Sequence, residues 1–338
     1  MFKLVLKYFS KILIFYHIIN YNTAESQYPV FKHHFKQFTF FTKQFGYSNL
    51  IITFAVYYFT NTAMININNI SFSYGNVPVL KNITMQLEEG RIYGLLGENG
   101  VGKTTLLSLL CGLKKVEKGS IDIDGYSPFE RRPSFLEMEY FLADEVAQMP
   151  LTAEKFAAEY GKFRSRFDMG KFLEIMEIFE NDPKKMLNKM SFGQVKKTYI
   201  AFALACNCKY LFMDEPTNGL DIPSKAQFRK AVTKYTSEDS TLLISTHQVR
   251  DLENIIDPII ILDRQDVLLN ASIAEIADKL TFDYSNVKNP DALYSEMTPG
   301  GSVQVYMNTD DEESKVNIEA LFNTVHLHKE LIKGLFRK

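Results

Sequence analysis

At 338 residues, with 46% apolar and 23% charged side chains, the chain has the composition of a globular protein and room for one large domain or two ordinary ones. A net charge of −2 gives no electrostatic footing for nucleic acid, and three cysteines, Cys111, Cys206 and Cys208, are too few for a disulfide framework. No run reaches the roughly 18 consecutive apolar residues of a membrane helix; the nearest, Leu50 to Phe59, is too short.

The first 63 residues differ from the rest. They hold 18 of the 45 Phe and Tyr residues and six lysines against one acid, Glu25, yet show no sustained helical or strand period. Clusters such as Phe38-Thr39-Phe40-Phe41 and Val56-Tyr57-Tyr58-Phe59 would be aggregation-prone if exposed. A secretory signal fits poorly, because no small-residue cleavage site follows the apolar part. Two readings compete: a start misassigned upstream of Met64, which is favoured, or a basic amphipathic membrane-surface segment at Lys3 to Ile19. Either way the segment is expected to be dispensable for folding and catalysis.

From Met64 the patterning is regular. Ile65 to Tyr74 alternates apolar and polar residues, Gly75-Asn76 turns, and Val79 to Leu87 alternates again, as half-buried strands do. Arg91 to Leu96 reads as a buried strand and Thr105 to Leu110 as an apolar helix. Between them Gly97, Glu98, Asn99, Gly100, Val101, Gly102, Lys103 and Thr104 fit G-x-x-x-x-G-K-[ST] in full, with Thr105 next. Glycines let successive N–H groups point inward as an anion nest, the lysine reaches the β- and γ-phosphates, and the Thr104 hydroxyl suits Mg²⁺. A Gly-rich turn could match by chance, but strand, loop, Lys-Thr and helix in this order argue for a nucleotide site.

Gly119 to Gly125 is a short strand. The pattern then turns helical from about 127 to 190, with apolar stripes over Leu151 to Phe163 and Met169 to Phe179. Alternation resumes with a helix over Lys196 to Cys206, a strand over Tyr210 to Met213, a helix over Ser224 to Tyr235, a strand over Thr241 to Ser245 and a short helix over Val249 to Ile255. Pro258 to Leu262 and Asp266 to Leu269 read as a strand pair turning at Arg264-Gln265. Cys206 and Cys208 sit in apolar sequence as buried thiols rather than metal ligands, consistent with a reducing, cytosolic compartment. Beyond residue 281 come a strand at Ser302 to Met307, a solvated acidic run Asp310-Asp311-Glu312-Glu313, and one or two helices; His326 and His328 lack metal-ligand partners in sequence. The expected fold is an α/β phosphate-loop domain: a largely parallel sheet covered on both faces, with an antiparallel β portion, an inserted helical subdomain and a small C-terminal extension.

The later motifs narrow the class. Met190-Ser191-Phe192-Gly193-Gln194 opens a helix, Leu211-Phe212-Met213-Asp214-Glu215 ends a strand, Asn218-Gly219-Leu220-Asp221 follows, and Ser245-Thr246-His247 ends the next strand. With the phosphate loop, these five motifs in order resemble the nucleotide-binding subunit of an ATP-binding-cassette (ABC) transporter, over about residues 64–280. The resemblance implies ATP as substrate, Mg²⁺ held by Thr104 and Asp214, Glu215 as general base, His247 as the switch histidine at the γ-phosphate, and Tyr74 stacking on adenine. It implies that Ser191, Phe192, Gly193 and Gln194 face ATP bound by a second nucleotide-binding subunit, in a homodimer or heterodimer, with Asp221 in the D-loop. Phe192 replaces the usual glycine, at a variable position.

The glutamine loop departs further. In Tyr140 to Thr152, spacing puts Asp144 or Glu145 where the family has Gln; Gln148 is the rival but lies too close to Leu151-Thr152. A carboxylate there can still ligate Mg²⁺, but adds negative charge near the γ-phosphate. The resemblance further implies a separate membrane permease, peripheral residence on the cytoplasmic membrane face, no nucleic acid partner, and an exporter-type assembly. A soluble ABC protein would usually carry two cassettes or a long coiled-coil insertion. A non-hydrolysing switch would not need intact Lys103, Asp214, Glu215 and His247.

Overall fold

The computed structural model describes residues 63–263, 266–287, 289–309 and 314–336. The expectations for residues 1–62, for the turn at Arg264-Gln265 and for the acidic run at 310–313 lie outside the described residues.

Strands β1 (Ala63–Tyr74) and β2 (Val77–Glu88) pair antiparallel around Gly75-Asn76. They are followed by β3 (Ile92–Leu96), helix α1 (Lys103–Leu110) and β4 (Lys118–Ile123). Next come α2 (Pro133–Met138), β5 (Glu139–Leu142), α3 (Ala153–Gly161) and α4 (Met169–Ile178). Then follow α5 (Phe192–Ala205), β6 (Tyr210–Asp214), α6 (Ile222–Tyr235), β7 (Thr241–Thr246), β8 (Ile259–Asp263), β9 (Asp266–Ala271) and α7 (Ile273–Lys279). The chain closes with β10 (Leu280–Ser285), β11 (Tyr294–Thr298), β12 (Gly301–Met307), α8 (Ile318–Leu327) and α9 (Lys329–Phe336).

The main sheet runs β5-β6-β7-β3-β8-β9, parallel except for the β8–β9 pair. Its central strands β6, β7, β3 and β8 are almost wholly buried because both faces are covered. Period-two alternation divides them between two cores. Leu211, Met213, Leu242, Ile244, Ile259 and Ile261 pack with the helices α3 to α6. Their neighbours Tyr210, Phe212, Leu243, Ile260 and Leu262 face α1 and the antiparallel sheet β2-β1-β4. A third sheet, β10-β12-β11, and helices α8 and α9 form the C-terminal extension. It shares the first core through Leu280, Val305, Leu321 and Ile332.

Two local expectations change. The helical stretch over 127–190 is interrupted by β5, which joins the main sheet beside β6. The short helix expected at Val249 to Ile255 is only a single 3₁₀ turn, Val249–Asp251; Asn254 takes a left-handed φ of 75°, which ends helical geometry before β8. All three cysteines are free and buried.

Burial of Glu139 on β5 pushes its carboxyl from an ordinary value near 4.5 up to about 7, against the lowering influence of Arg164 and Arg131. Its Oε2 has no hydrogen-bond partner. The folded state therefore holds this proton over a pH range in which the unfolded chain has released it, and stability falls as pH rises from about 4.5 to 7. At about 1.4 kcal/mol per pKa unit the loss approaches ~3 kcal/mol. Glu139→Gln is expected to raise the thermal midpoint at pH 8 and leave it nearly unchanged at pH 4.5, as read by calorimetry at both values.

Candidate nucleotide site

Strand order sets the site. β5, β6, β7 and β3 are consecutive neighbours in a parallel array, so the segments leaving their C-terminal ends line one edge of the sheet. That edge is where open α/β sheets bind ligands. It brings together Asp144, the Asp214-Glu215 pair, His247 and the Gly97–Gly102 loop from distant parts of the sequence.

The loop after β3 is held tightly. A Cβ on Gly97 would sit 2.6 Å from the Leu262 carbonyl oxygen and 2.7 Å from Val101 Cγ1, so only glycine lets the loop pass β8 this closely. Lys103, on the first turn of α1, is 6% exposed. Its Nζ donates to the carbonyls of Gly97 (2.8 Å) and Glu98 (3.2 Å) and lies 3.6 Å from Glu215 Oε1. Burial lowers its pKa, while Glu215 and Asp214 favour the charged form.

Asp214 ends β6 and is 3% exposed. Thr104 Oγ1 donates to its Oδ2 at 2.6 Å and Ser245 Oγ to its Oδ1 at 2.5 Å. This all-oxygen pair, a hydroxyl beside a buried carboxylate, fits a hard cation such as Mg²⁺. Glu215 follows with a left-handed φ of 44°, an uncommon conformation for a non-glycine residue. Its N–H is satisfied by the carbonyl and the hydroxyl of Ser245, both at 3.1 Å. The Glu215 carboxylate accepts from the His247 backbone N–H at 3.3 Å, and His247 Nδ1 lies 2.9 Å from its Oε1. Ser245 thus holds the Asp214 carboxylate and the Glu215 backbone, a role that the sequence motif did not reveal.

Tyr74 ends β1 half exposed, edge-on to Phe72, with its hydroxyl 3.3 Å from Thr105 Oγ1 and Lys114 Nζ 4.8 Å from its ring centroid. It therefore borders the start of α1. Ser191 is the N-cap of α5 in a capping box: its Oγ accepts from the Gln194 N–H, and Gln194 Oε1 accepts from the Ser191 N–H. These bonds, with one from Lys185 to Gln194, stay within the helix start rather than reaching the phosphate loop. Phe192 is half exposed against Gly219, where a Cβ would meet the ring at 2.8 Å. Asp221 caps α6, accepting from the Ser224 N–H at 2.9 Å, and hydrogen bonding from the Ser224 side chain and then its backbone lowers the Asp221 pKa.

Of the three residues considered for the glutamine-loop position, Glu145 and Gln148 are exposed, whereas Asp144 turns inward. It meets Lys196 of α5 at 2.8 Å and Asn218 at 3.2 Å. Asn218 was visible as the start of the Asn218-Gly219-Leu220-Asp221 motif, but not as a partner of Asp144; the signal for Lys196 is a lysine on the largely apolar buried side of α5.

The ABC transporter family profile matches residues 80–218. The bacitracin transport ATP-binding protein BcrA of Bacillus licheniformis is 26% identical over 254 residues, covering 73% of this chain and 79% of its own length. The lantibiotic transport ATP-binding protein SrtF of Streptococcus pyogenes is 28% identical over 207 residues, covering 57% and 84%. The dimeric cassette MJ0796, solved in a post-hydrolysis state bound to ADP and Pi, superposes with a TM-score of 0.55 at 24% identity, over 62% of this chain and 98% of that one, a likeness of fold. Residues 80–218 thus carry an ABC transporter domain, and the relatives the chain resembles are transport ATP-binding proteins.

Proposed function

We propose that this chain is the ATP-hydrolysing subunit of an exporter-type ABC transporter and drives a separate membrane permease. The observation that carries the reading is the hydrogen-bonded and ion-paired group Lys103, Thr104, Asp214, Glu215, Ser245 and His247 at one sheet edge. Relatives named for bacitracin and lantibiotic transport support the transport role. No helix among the described residues is long and apolar enough to cross a membrane. The permease holds the chain on the cytoplasmic face of the membrane.

In this reading Gly97 to Thr105 wrap the phosphates of ATP, and Lys103 exchanges loop carbonyls for phosphate oxygens. The adenine stacks on the exposed ring of Tyr74. Thr104 and Asp214 would hold Mg²⁺, whose charge would offset that of the phosphates. Glu215 takes the proton of the attacking water, with His247 orienting its carboxylate. A second copy or a related cassette supplies Ser191, Phe192, Gly193 and Gln194 to the opposite face, across the segment bearing Asp221. The test is affinity purification from detergent-solubilised membranes. A polytopic membrane protein should co-purify and raise phosphate release; a chain that purifies alone and shows no change in rate on adding membranes contradicts the permease.

A further inference from the structure

Lys196 has a wholly buried side chain on the second turn of α5, the signature helix, two residues past the Ser191-Phe192-Gly193-Gln194 signature motif that opens it. Its ammonium donates to both the carbonyl oxygen (2.5 Å) and Oδ1 (2.8 Å) of Asp144 and lies 6.0 Å from the Phe192 ring centroid. Both carboxylate oxygens of Asp144 accept from Asn218 Nδ2 at 3.2 Å. The Asn218 N–H in turn bonds the Glu215 carbonyl at 3.1 Å. One continuous chain of contacts therefore joins the signature helix, the loop after β5 and the turn that presents Glu215. A buried ammonium requires compensation, and Asp144 supplies it by side chain and backbone together.

We propose, resting on the ATPase reading above, that Lys196 and Asp144 are positioning residues acting as one unit. The ion pair sets the signature helix against the turn of Glu215, and Asp144 serves as the partly exposed partner of a buried ammonium rather than as a metal ligand. The aromatic ring of Phe192 at the signature position covers that ammonium.

The test compares Asp144→Asn, Lys196→Gln and the double variant with the wild-type chain, measuring kcat, ATP affinity, half-saturating Mg²⁺ and thermal midpoint. Asp144→Asn leaves the buried ammonium unpaired and Lys196→Gln leaves the Asp144 carboxylate without its cation, and each is expected to lower kcat about tenfold, with ATP affinity changed less than twofold. The double variant restores a neutral hydrogen-bonded pair and should return to within about threefold of the wild-type rate. Multiplicative loss, to roughly one hundredth, overturns the unit. A raised Mg²⁺ requirement in Asp144→Asn overturns it in favour of metal ligation. Should Lys196→Gln fail to melt cooperatively, Asp144→Asn alone decides through its Mg²⁺ and kcat readouts. Absence of turnover in the wild-type chain would instead strike the ATPase reading itself.

Discussion

Glu215→Gln is expected to abolish steady-state ATP turnover while leaving ATP binding intact. Glu215 is pinned by two bonds from its N–H to Ser245 and by one from the His247 N–H to its carboxylate, with His247 Nδ1 2.9 Å from Oε1. Glutamine keeps the shape and can still accept from the His247 N–H, so the geometry survives. What disappears is the basicity of the carboxylate. General-base removal costs about 10²- to 10⁴-fold, and phosphate release should fall within that range. ATP that is bound but not cleaved should hold two copies together, seen as an earlier gel-filtration peak in Mg-ATP. Turnover at the wild-type rate would remove Glu215 from this role.

Lys103→Ala should strike binding instead. The ammonium is buried and clamps two loop carbonyls while neutralising Glu215. Alanine removes the cation offered to the phosphates and leaves two carboxylates, Asp214 and Glu215, with less compensation. Hydrogen bonds to charged groups are worth about 1.5–3 kcal/mol, so ATP affinity should fall roughly ten- to hundredfold. Calorimetric titration with ATP measures it, and a retained thermal transition confirms that the fold is kept. Unchanged affinity would mean that the loop is not a phosphate cradle.

What the sequence made legible follows from range. The phosphate loop is contiguous, and each of its residues has a reason tied to its neighbours. Strands β6, β7 and β8 are short apolar runs between turn signals, and their alternation between two cores emerges only once both faces are covered. β5 was not legible: four residues starting with a glutamate, set between helices, become a strand through pairing with β6. The Asp144–Lys196 pair was hidden for the same reason. Its members lie 52 residues apart, and a lysine beside Val195 on a helix reads as a solvated side chain until the loop after β5 is placed over it. Ser245 was visible only as the end of a strand, since its bonds to Asp214 and Glu215 span the β6–β7 pairing.

The central claim is ATP hydrolysis at a site completed by two chains. The most direct measurement is phosphate release from Mg-ATP by the purified chain as a function of its concentration. The rate per chain should rise with concentration and then level off as pairs form. A rate per chain that stays constant across the series, or no release at all with ATP demonstrably bound, would contradict it.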